Sequence, residues 1–446
     1  MNTKELTYGN PLKLILVFMF PLFLGNLFQQ FYNFTDALIV GRVIGIKSLA
    51  AIGVTGPLIF LVISFIFAST QGFTIILAQR FGARDYIGVR KSLAASLILA
   101  FLMTVLLTVF STPFSKFFLM WLQTPSDIIE DAAKYLFIMF IGIFATVYYN
   151  LSSNVIRALG NSKTPLYFLI FSVILNIFFD ILFVVKFHWG IQGAGWATVL
   201  AQAISTVVSV TYMFLKFPVL HLKKEDWKFS KEFLYEHLRY GIPMGIQMSI
   251  LTLGMIAVQY VLNSFGSTAV AAFTTAMRVD QMFSQVFMAL GATMSVFAAQ
   301  NFGAKKMSRI RDGAKSAVLI ALFISGFSFI ILKLFGANII SLFMTYPDNE
   351  VIRLGMIYLN IIIIFFIFLG LLMIFRNILQ GMGDVMSPLL SGVAELIARA
   401  SFAFLFGHYF GYIGVCTATP AAWISGTLVL FISYRINIKR FAKLKR

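Results

Sequence analysis

A single cysteine, Cys416, occurs in 446 residues, so no disulfide within the chain is possible and no thiolate cluster can hold a metal. Acidic side chains are also scarce, 17 Asp and Glu against 35 Lys and Arg. The four histidines, His188, His221, His237 and His408, fall at helix ends or in a linker, without the spacing of metal ligands. A Gly-rich phosphate loop of the Walker type is missing, so an ATP-driven pump would need a nucleotide-binding domain on another chain. Charged residues are 12% of the chain, against about 25% in soluble globular domains, while 59% are hydrophobic and the mean hydropathy is +0.89. That balance excludes a soluble fold and indicates an all-α, polytopic membrane protein.

Twelve apolar stretches are predicted to cross the bilayer, at roughly 13–40, 49–79, 88–112, 130–156, 164–186, 192–216, 238–263, 269–299, 313–345, 351–380, 385–408 and 412–434. Each supplies the ~20 residues that a crossing needs. The first stretch lacks a small-residue cleavage site and outlasts a signal-peptide core, so it is expected to remain as the first span. Lys and Arg concentrate in the N-terminus, the even-numbered connections and the tail, among them Lys223, Lys224, Lys305, Lys306 and the run from Arg435 to Arg446. The positive-inside rule then expects both termini in the cytoplasm. The net charge of +18 therefore reads as contact with anionic membrane lipid, with no nucleic-acid partner expected.

The chain repeats itself with a period of about 222 residues. Gln79-Arg80-Phe81-Gly82-Ala83-Arg84 recurs as Gln300-Asn301-Phe302-Gly303-Ala304-Lys305, Phe20-Pro21 as Ile242-Pro243, and the stretch from Asn154 to Gly160 as that from Asn377 to Gly383. Two six-span lobes are expected, 1–216 and 238–446, joined by the basic cytoplasmic linker 217–237. Six crossings return the chain to its starting side, so the lobes share an orientation and are related by an axis along the membrane normal, as in many secondary transporters.

Of the acidic residues, Asp36, Asp180, Asp280 and Glu395 lie inside long apolar stretches. A carboxylate at bilayer depth costs roughly 2.5–3.5 kcal/mol on insertion scales and marks a functional position by default. On the first span, Gln29, Tyr32, Asn33 and Asp36 share a helix face. Asn176 and Asp180 are an i, i+4 pair on the fifth span, Asn150 lies on the fourth, and Thr198 follows the small residues Gly193-Ala194-Gly195 on the sixth. If these helices converge, two carboxylates share one small site. Both cannot ionise cheaply in a low dielectric, so the site would take up a proton near neutral pH. Alternatively, the carboxylate, amide and hydroxyl oxygens would form a hard cage for Na⁺ at Asp36 and Asp180. Pro21 on the first span removes one helical hydrogen bond and marks a candidate bend.

These features together resemble the multidrug and toxic compound extrusion (MATE) family, in its DinF-like prokaryotic branch. They are the two parallel repeats, the Asn33-to-Arg42 stretch, Gln-Arg-Phe-Gly-Ala-Arg after the second span, the Arg157-to-Pro165 connection and the Asn176–Asp180 pair. The likeness covers essentially the whole chain. It implies two six-helix lobes in a V around a central cavity, in the plasma membrane of a prokaryote. It also implies export of organic cations or other amphipathic small molecules against H⁺ or Na⁺ by alternating access, by a single chain with no cofactor and no catalysis. Asp36, Asn150, Asn176, Asp180 and Thr198 match the branch's cation site, and Pro21 matches the position where the first span bends.

The second half departs from the NorM-like pattern, because spans seven and ten carry no Asp or Glu. It offers instead Arg278, Gln281 and Gln285 on span eight with Asp280 offset from them, and Glu395 with Arg399 on span eleven. Glu395 and Arg399, at i and i+4, are expected to neutralise each other; the sharper alternative places Asp280 or Glu395 against a cationic substrate. Arg278 and Arg399 are the basic residues expected deep in the spans. A cation-rich cavity would favour the alternative function, a flippase for a lipid-linked oligosaccharide precursor.

Overall fold

The computed structural model describes residues 5–344 and 348–443; inside its helices the side chains at 33, 34, 36–38, 42, 46 and 441–443 lie outside that description. Among the described residues there is no strand. The first half contains α1 (Pro11–Val43), α2 (Ile46–Gly82), α3 (Tyr86–Ser111), the short α4 (Ser115–Trp121), α5 (Ile129–Ile141), α6 (Ile143–Ala158), α7 (Lys163–Asp180) and α8 (Gly190–Lys216). The second contains α9 (Lys231–Leu262), α10 (Ser267–Gly303), α11 (Met307–Ser341), α12 (Asn349–Ile362), α13 (Phe366–Gly381), α14 (Met386–Ser401), α15 (Gly407–Cys416) and α16 (Ala418–Lys443). Single π-helical segments, Ile181–Lys186 and Phe402–Phe406, follow α7 and α14.

Among the described residues 11 helical runs are long and apolar enough to cross a membrane, and α5 with α6, bent by 44° at Gly142, makes up to 12. The helical form follows from the solvent: without water, every backbone N–H and C=O must bond within its own segment. Lipid contact also explains exposed side chains such as Phe323 at 74% and Leu334 at 67%, which a soluble surface would avoid.

Two compact units divide the chain: Met1–Glu5 with Leu24–Gly245, and Leu6–Phe23 with Ile246–Arg446. We call them unit 1 and unit 2. The change of unit comes just after Pro21 within α1 and just after Pro243 within α9, so the linker 217–237 and the opening of α9 belong to unit 1. In unit 2 a continuous core forms around Phe287, Phe297, Phe366 and Ile374.

The sequence repeat is also a repeat of geometry. α2 ends with Ala83 N–H donating to Gln79 O (2.9 Å) and Asp85 N–H to Arg80 O (3.0 Å), and Arg84 is left-handed at φ 61°. α10 ends the same way, with Ala304 N–H to Gln300 O (3.0 Å), Lys306 N–H to Asn301 O (2.8 Å) and Lys305 at φ 56°. Gly160 and Gly383, at φ 84° and 93°, close α6 and α13 in the left-handed region that glycine enters without strain. One repeated motif grips the segment before α1, the other the first turns of α9. In unit 2, Gln300 Oε1 accepts from Leu6 N–H (2.8 Å), while Lys306 Nζ donates to Thr7 O (3.0 Å) and Arg309 Nη1 to Gly9 O (3.0 Å). In unit 1, Arg80 pairs with Asp85 (3.1 Å) and Glu236 (3.8 Å) and stacks over Phe233.

Candidate functional site

In unit 1 the site is built by α7 and α8, with α1 against them. Gly160 ends α6, and Asn161 Oδ1 then accepts from the N–H groups of Lys163 (3.1 Å) and Thr164 (3.0 Å), which starts α7. Apolar residues carry α7 inward until Asn176 and Asp180, 2% and 1% exposed, where the helix loosens into its π-helical segment. Such π segments frequently accompany functional positions.

The amide ends of Asn176 follow from their neighbours. With Nδ2 turned to the carboxylate, it donates to Asp180 Oδ2 at 2.9 Å and Oδ1 accepts from Thr198 N–H at 3.2 Å. In the opposite orientation Nδ2 donates to Thr198 Oγ1 at 3.3 Å. The first satisfies both ends of the amide, because the opposite orientation sets Asn176 Oδ1 against the Asp180 carboxylate, oxygen against oxygen; Thr198 Oγ1 itself donates to Ala194 O at 3.1 Å. That bond uses the hydroxyl proton, so Tyr32 OH on α1 is the donor in its 3.4 Å contact with Thr198 Oγ1. Asn176, Asp180 and Thr198 are buried and, with the half-buried Tyr32, form one polar cluster across three helices.

Other expected members stand differently. Asn150 on α6 donates to Thr146 O one turn back at 2.8 Å, and among the described residues no hydrogen bond ties it to Asp180 or Thr198. Gln29 is half-buried on α1, and α1 runs on as helix through the buried Pro21. The side chains of Asn33 and Asp36 lie outside the described residues. Chemically, the described cluster offers a carboxylate, an amide and a hydroxyl, all buried. It is able to exchange a proton or to hold a small hard cation.

Unit 2 holds a second buried polar network. Asp280, 6% exposed, accepts from Ser284 Oγ at 3.0 Å and from Tyr358 OH at 3.2 Å. Glu395 is 2% exposed, and its ion-pair partner is Arg376 of α13, with Ser391 Oγ donating at 3.0 Å to the same carboxylate oxygen, Oε1. The expected neutralisation along α14 is thus corrected, because the neighbouring helix brings a guanidinium closer than the next turn does. Arg399 makes no hydrogen bond or ion pair among the described residues; its side chain lies over Gly254 of α9, where a Cβ would meet Arg399 Cδ at 3.3 Å. Among the described residues Arg376 and Arg399 are the buried basic residues of unit 2, whereas Arg278, within α10, is exposed. Gln281 is also exposed and Gln285 half-buried.

Sequence reasoning missed Arg376 and Tyr358. Arg376 had a visible signal, a cation inside the apolar run Leu-Met-Ile-Phe-Arg-Asn beside the repeated Asn377. Tyr358 had none, because a tyrosine near the head of a span is ordinary. Counting from Gly160 and Gly383, Arg399 occupies the repeat position of Asn176, so a cation stands in the second half where the first has a neutral amide.

The MatE family model matches residues 21–182 and 243–405, one match in each half. The chain is 32% identical over 449 residues to the "Probable multidrug resistance protein YpnP" of Bacillus subtilis, covering 100% of this chain and 99% of that one. It is 29% identical to the "Probable multidrug resistance protein YoeA" of the same organism, covering 95% and 93%. Its fold matches that of a MOP superfamily transporter from Pyrococcus furiosus with a TM-score of 0.92, at 23% identity and 98% coverage of both chains.

Proposed function

The chain belongs to the MatE family, and from that premise we propose that it is a secondary active multidrug exporter. It moves organic cations or amphipathic compounds out of a prokaryotic cell by alternating access, in antiport with H⁺ or Na⁺. Both termini are cytoplasmic, the lobes 1–216 and 238–446 are joined by the linker 217–237, and one chain suffices.

One observation carries the reading: the Asn176–Asp180–Thr198–Tyr32 cluster ties α1, α7 and α8 around a buried carboxylate. A carboxylate buried at bilayer depth is costly and by default marks an ion or proton path. We assign coupling to Asp36 and Asp180, with Asn150, Asn176 and Thr198 supplying neutral ligands and Pro21 permitting α1 to bend. Ion binding at this site and substrate binding then bias opposite states, and their coupling is reciprocal. One inward charge at 100 mV supplies about 2.3 kcal/mol, roughly a fifty-fold gradient of a neutral substrate. A cationic substrate needs more coupling ions or a pH gradient.

The test is efflux of a fluorescent lipophilic cation from proteoliposomes, with pH and Na⁺ gradients imposed separately, for the wild type, Asp36→Asn and Asp180→Asn. Gradient-driven transport that either substitution abolishes supports the reading and names the ion. Full activity in both variants removes coupling from this site. No transport by the wild type under either gradient overturns the exporter reading, and binding of lipid-linked precursors becomes the next assay.

A further inference from the structure

At one end of unit 2 the first turns of α11 and the last turns of α16 border an open pocket of about 540 Å³. Four cations line it, Arg311 and Lys315 on α11 and Arg435 and Lys439 on α16. Each helix thus presents two like charges at i and i+4, a spacing that mildly destabilises a helix and that an anion between them would relieve. Among the described residues none of the four forms an ion pair or a hydrogen bond; Arg435 leans over the Phe431 ring at 5.9 Å. The nearby carboxylate of Asp384 is taken by Ser387 (3.0 Å from N–H, 2.7 Å from Oγ) and by Asn437 Nδ2 at 2.8 Å. Asp312 neighbours Arg311 but does not line the pocket.

The inner wall is apolar: Phe375 of α13 packs on Tyr434 at 5.1 Å between ring centroids. Farther along the same two helices the outward side chains are lipid-facing, with Leu322 and Phe323 at 53% and 74% exposed on α11 and Leu428 and Ile432 at 56% and 58% on α16. Lys315 and Phe323 are about 12 Å apart along the axis at 1.5 Å per residue. Four cations at the interface and an apolar strip beneath them match a molecule with an anionic head and acyl chains.

We propose that this pocket seats the headgroup of an anionic glycerophospholipid, with the phosphate among Arg311, Lys315, Arg435 and Lys439 and the chains along α11 and α16. The site rests on the membrane-embedded reading of the chain and is independent of what the protein transports. A zwitterionic lipid fits it poorly, because its own cation meets four others.

The experiment is thermal unfolding of the full chain in neutral detergent, titrated with phosphatidylglycerol, phosphatidylcholine or soluble glycerol phosphate. The variants are Arg311→Gln with Arg435→Gln, the fourfold change that adds Lys315→Gln and Lys439→Gln, and a control that neutralises Lys216, Lys224, Lys228 and Lys231. Phosphatidylglycerol is expected to raise the unfolding temperature of the wild type and the control saturably. Its half-maximal concentration should rise about tenfold or more in the fourfold variant and by less in the double variant. Should the fourfold variant fail to fold, the double variant decides. An equal loss in the control means diffuse electrostatics and overturns the proposal. Equal protection by phosphatidylcholine, or by glycerol phosphate alone, overturns it as well. Because lipid binding is read directly, a failure of the transport assay leaves this result interpretable.

Discussion

Arg376 on α13 and Glu395 on α14 form an ion pair in the interior of unit 2, their side chains 4% and 3% exposed. The pair bridges two helices, while Arg399, one turn along α14 from Glu395, makes no ion pair with it although it feels both charges. Removing either partner leaves an uncompensated charge, a loss of about 3–5 kcal/mol for buried pairs. Glu395→Gln and Arg376→Gln are therefore each expected to lower the unfolding temperature in detergent, and Arg399→Gln by clearly less. Equal losses in all three would mean that Arg399 shares the pair.

The cluster in unit 1 predicts a graded transport series. Asp180→Asn removes the charge and should lower gradient-driven efflux the most. Thr198→Val loses the hydroxyl that accepts from Tyr32 and should fall less, and Tyr32→Phe, which removes one 3.4 Å contact, least. Initial rates in proteoliposomes check the order; a Tyr32→Phe defect as deep as that of Asp180→Asn would contradict it.

Acid should release the linker. Asp226 accepts from Arg90 Nε at 2.9 Å and from Lys223 N–H at 2.8 Å. Burial alone would raise its carboxyl, but these two bonds and the Arg90 charge outweigh burial and hold it below its ordinary 3.8. A carboxyl lowered by folding adds stability above its unfolded value and loses it as pH falls through its folded value. Asp226→Asn and Arg90→Gln should each cost about 1–3 kcal/mol at neutral pH. The Asp226→Asn deficit should shrink as pH drops below 3.8, as followed by thermal unfolding. A deficit that persists unchanged in acid would show that the carboxylate charge is irrelevant.

The close crossing of α2 and α9 in unit 1 depends on two glycines. A Cβ on Gly72 would come within 2.6 Å of Gly241 Cα, backbone that has no flexible end to move. Gly72→Ala should force the helices apart and cost about 1–3 kcal/mol as overpacking, whereas Ala at Gly53, with nothing within 4 Å, should be neutral. Comparative unfolding of the two variants measures the difference.

Much of the architecture was legible before any coordinates. The spans were visible because a bilayer demands long apolar helices, and the duplication because left-handed residues at Arg84 and Lys305 and at Gly160 and Gly383 need the same local sequence twice. Asn176, Asp180 and Thr198 could be picked out because buried polar residues at helical spacing stand out against an apolar background. Arg376 was harder: at the end of a span a cation usually reaches for the interface, and only its neighbours on α14 show that it turns inward. Asp226 was masked in the same way, a buried acid within a basic linker that composition reads as solvated surface.

The amino-acid sequence by itself determined the class, the number of spans, the internal repeat and the candidate carboxylates, because these depend on solvent transfer and local backbone geometry. Tertiary structure alone decided which cation Glu395 meets, that Asn150 turns to its own helix, and that α1 and α9 change unit beside Pro21 and Pro243. Pairing between helices depends on their relative rotation and depth, which small differences in packing decide and no spacing along one chain encodes.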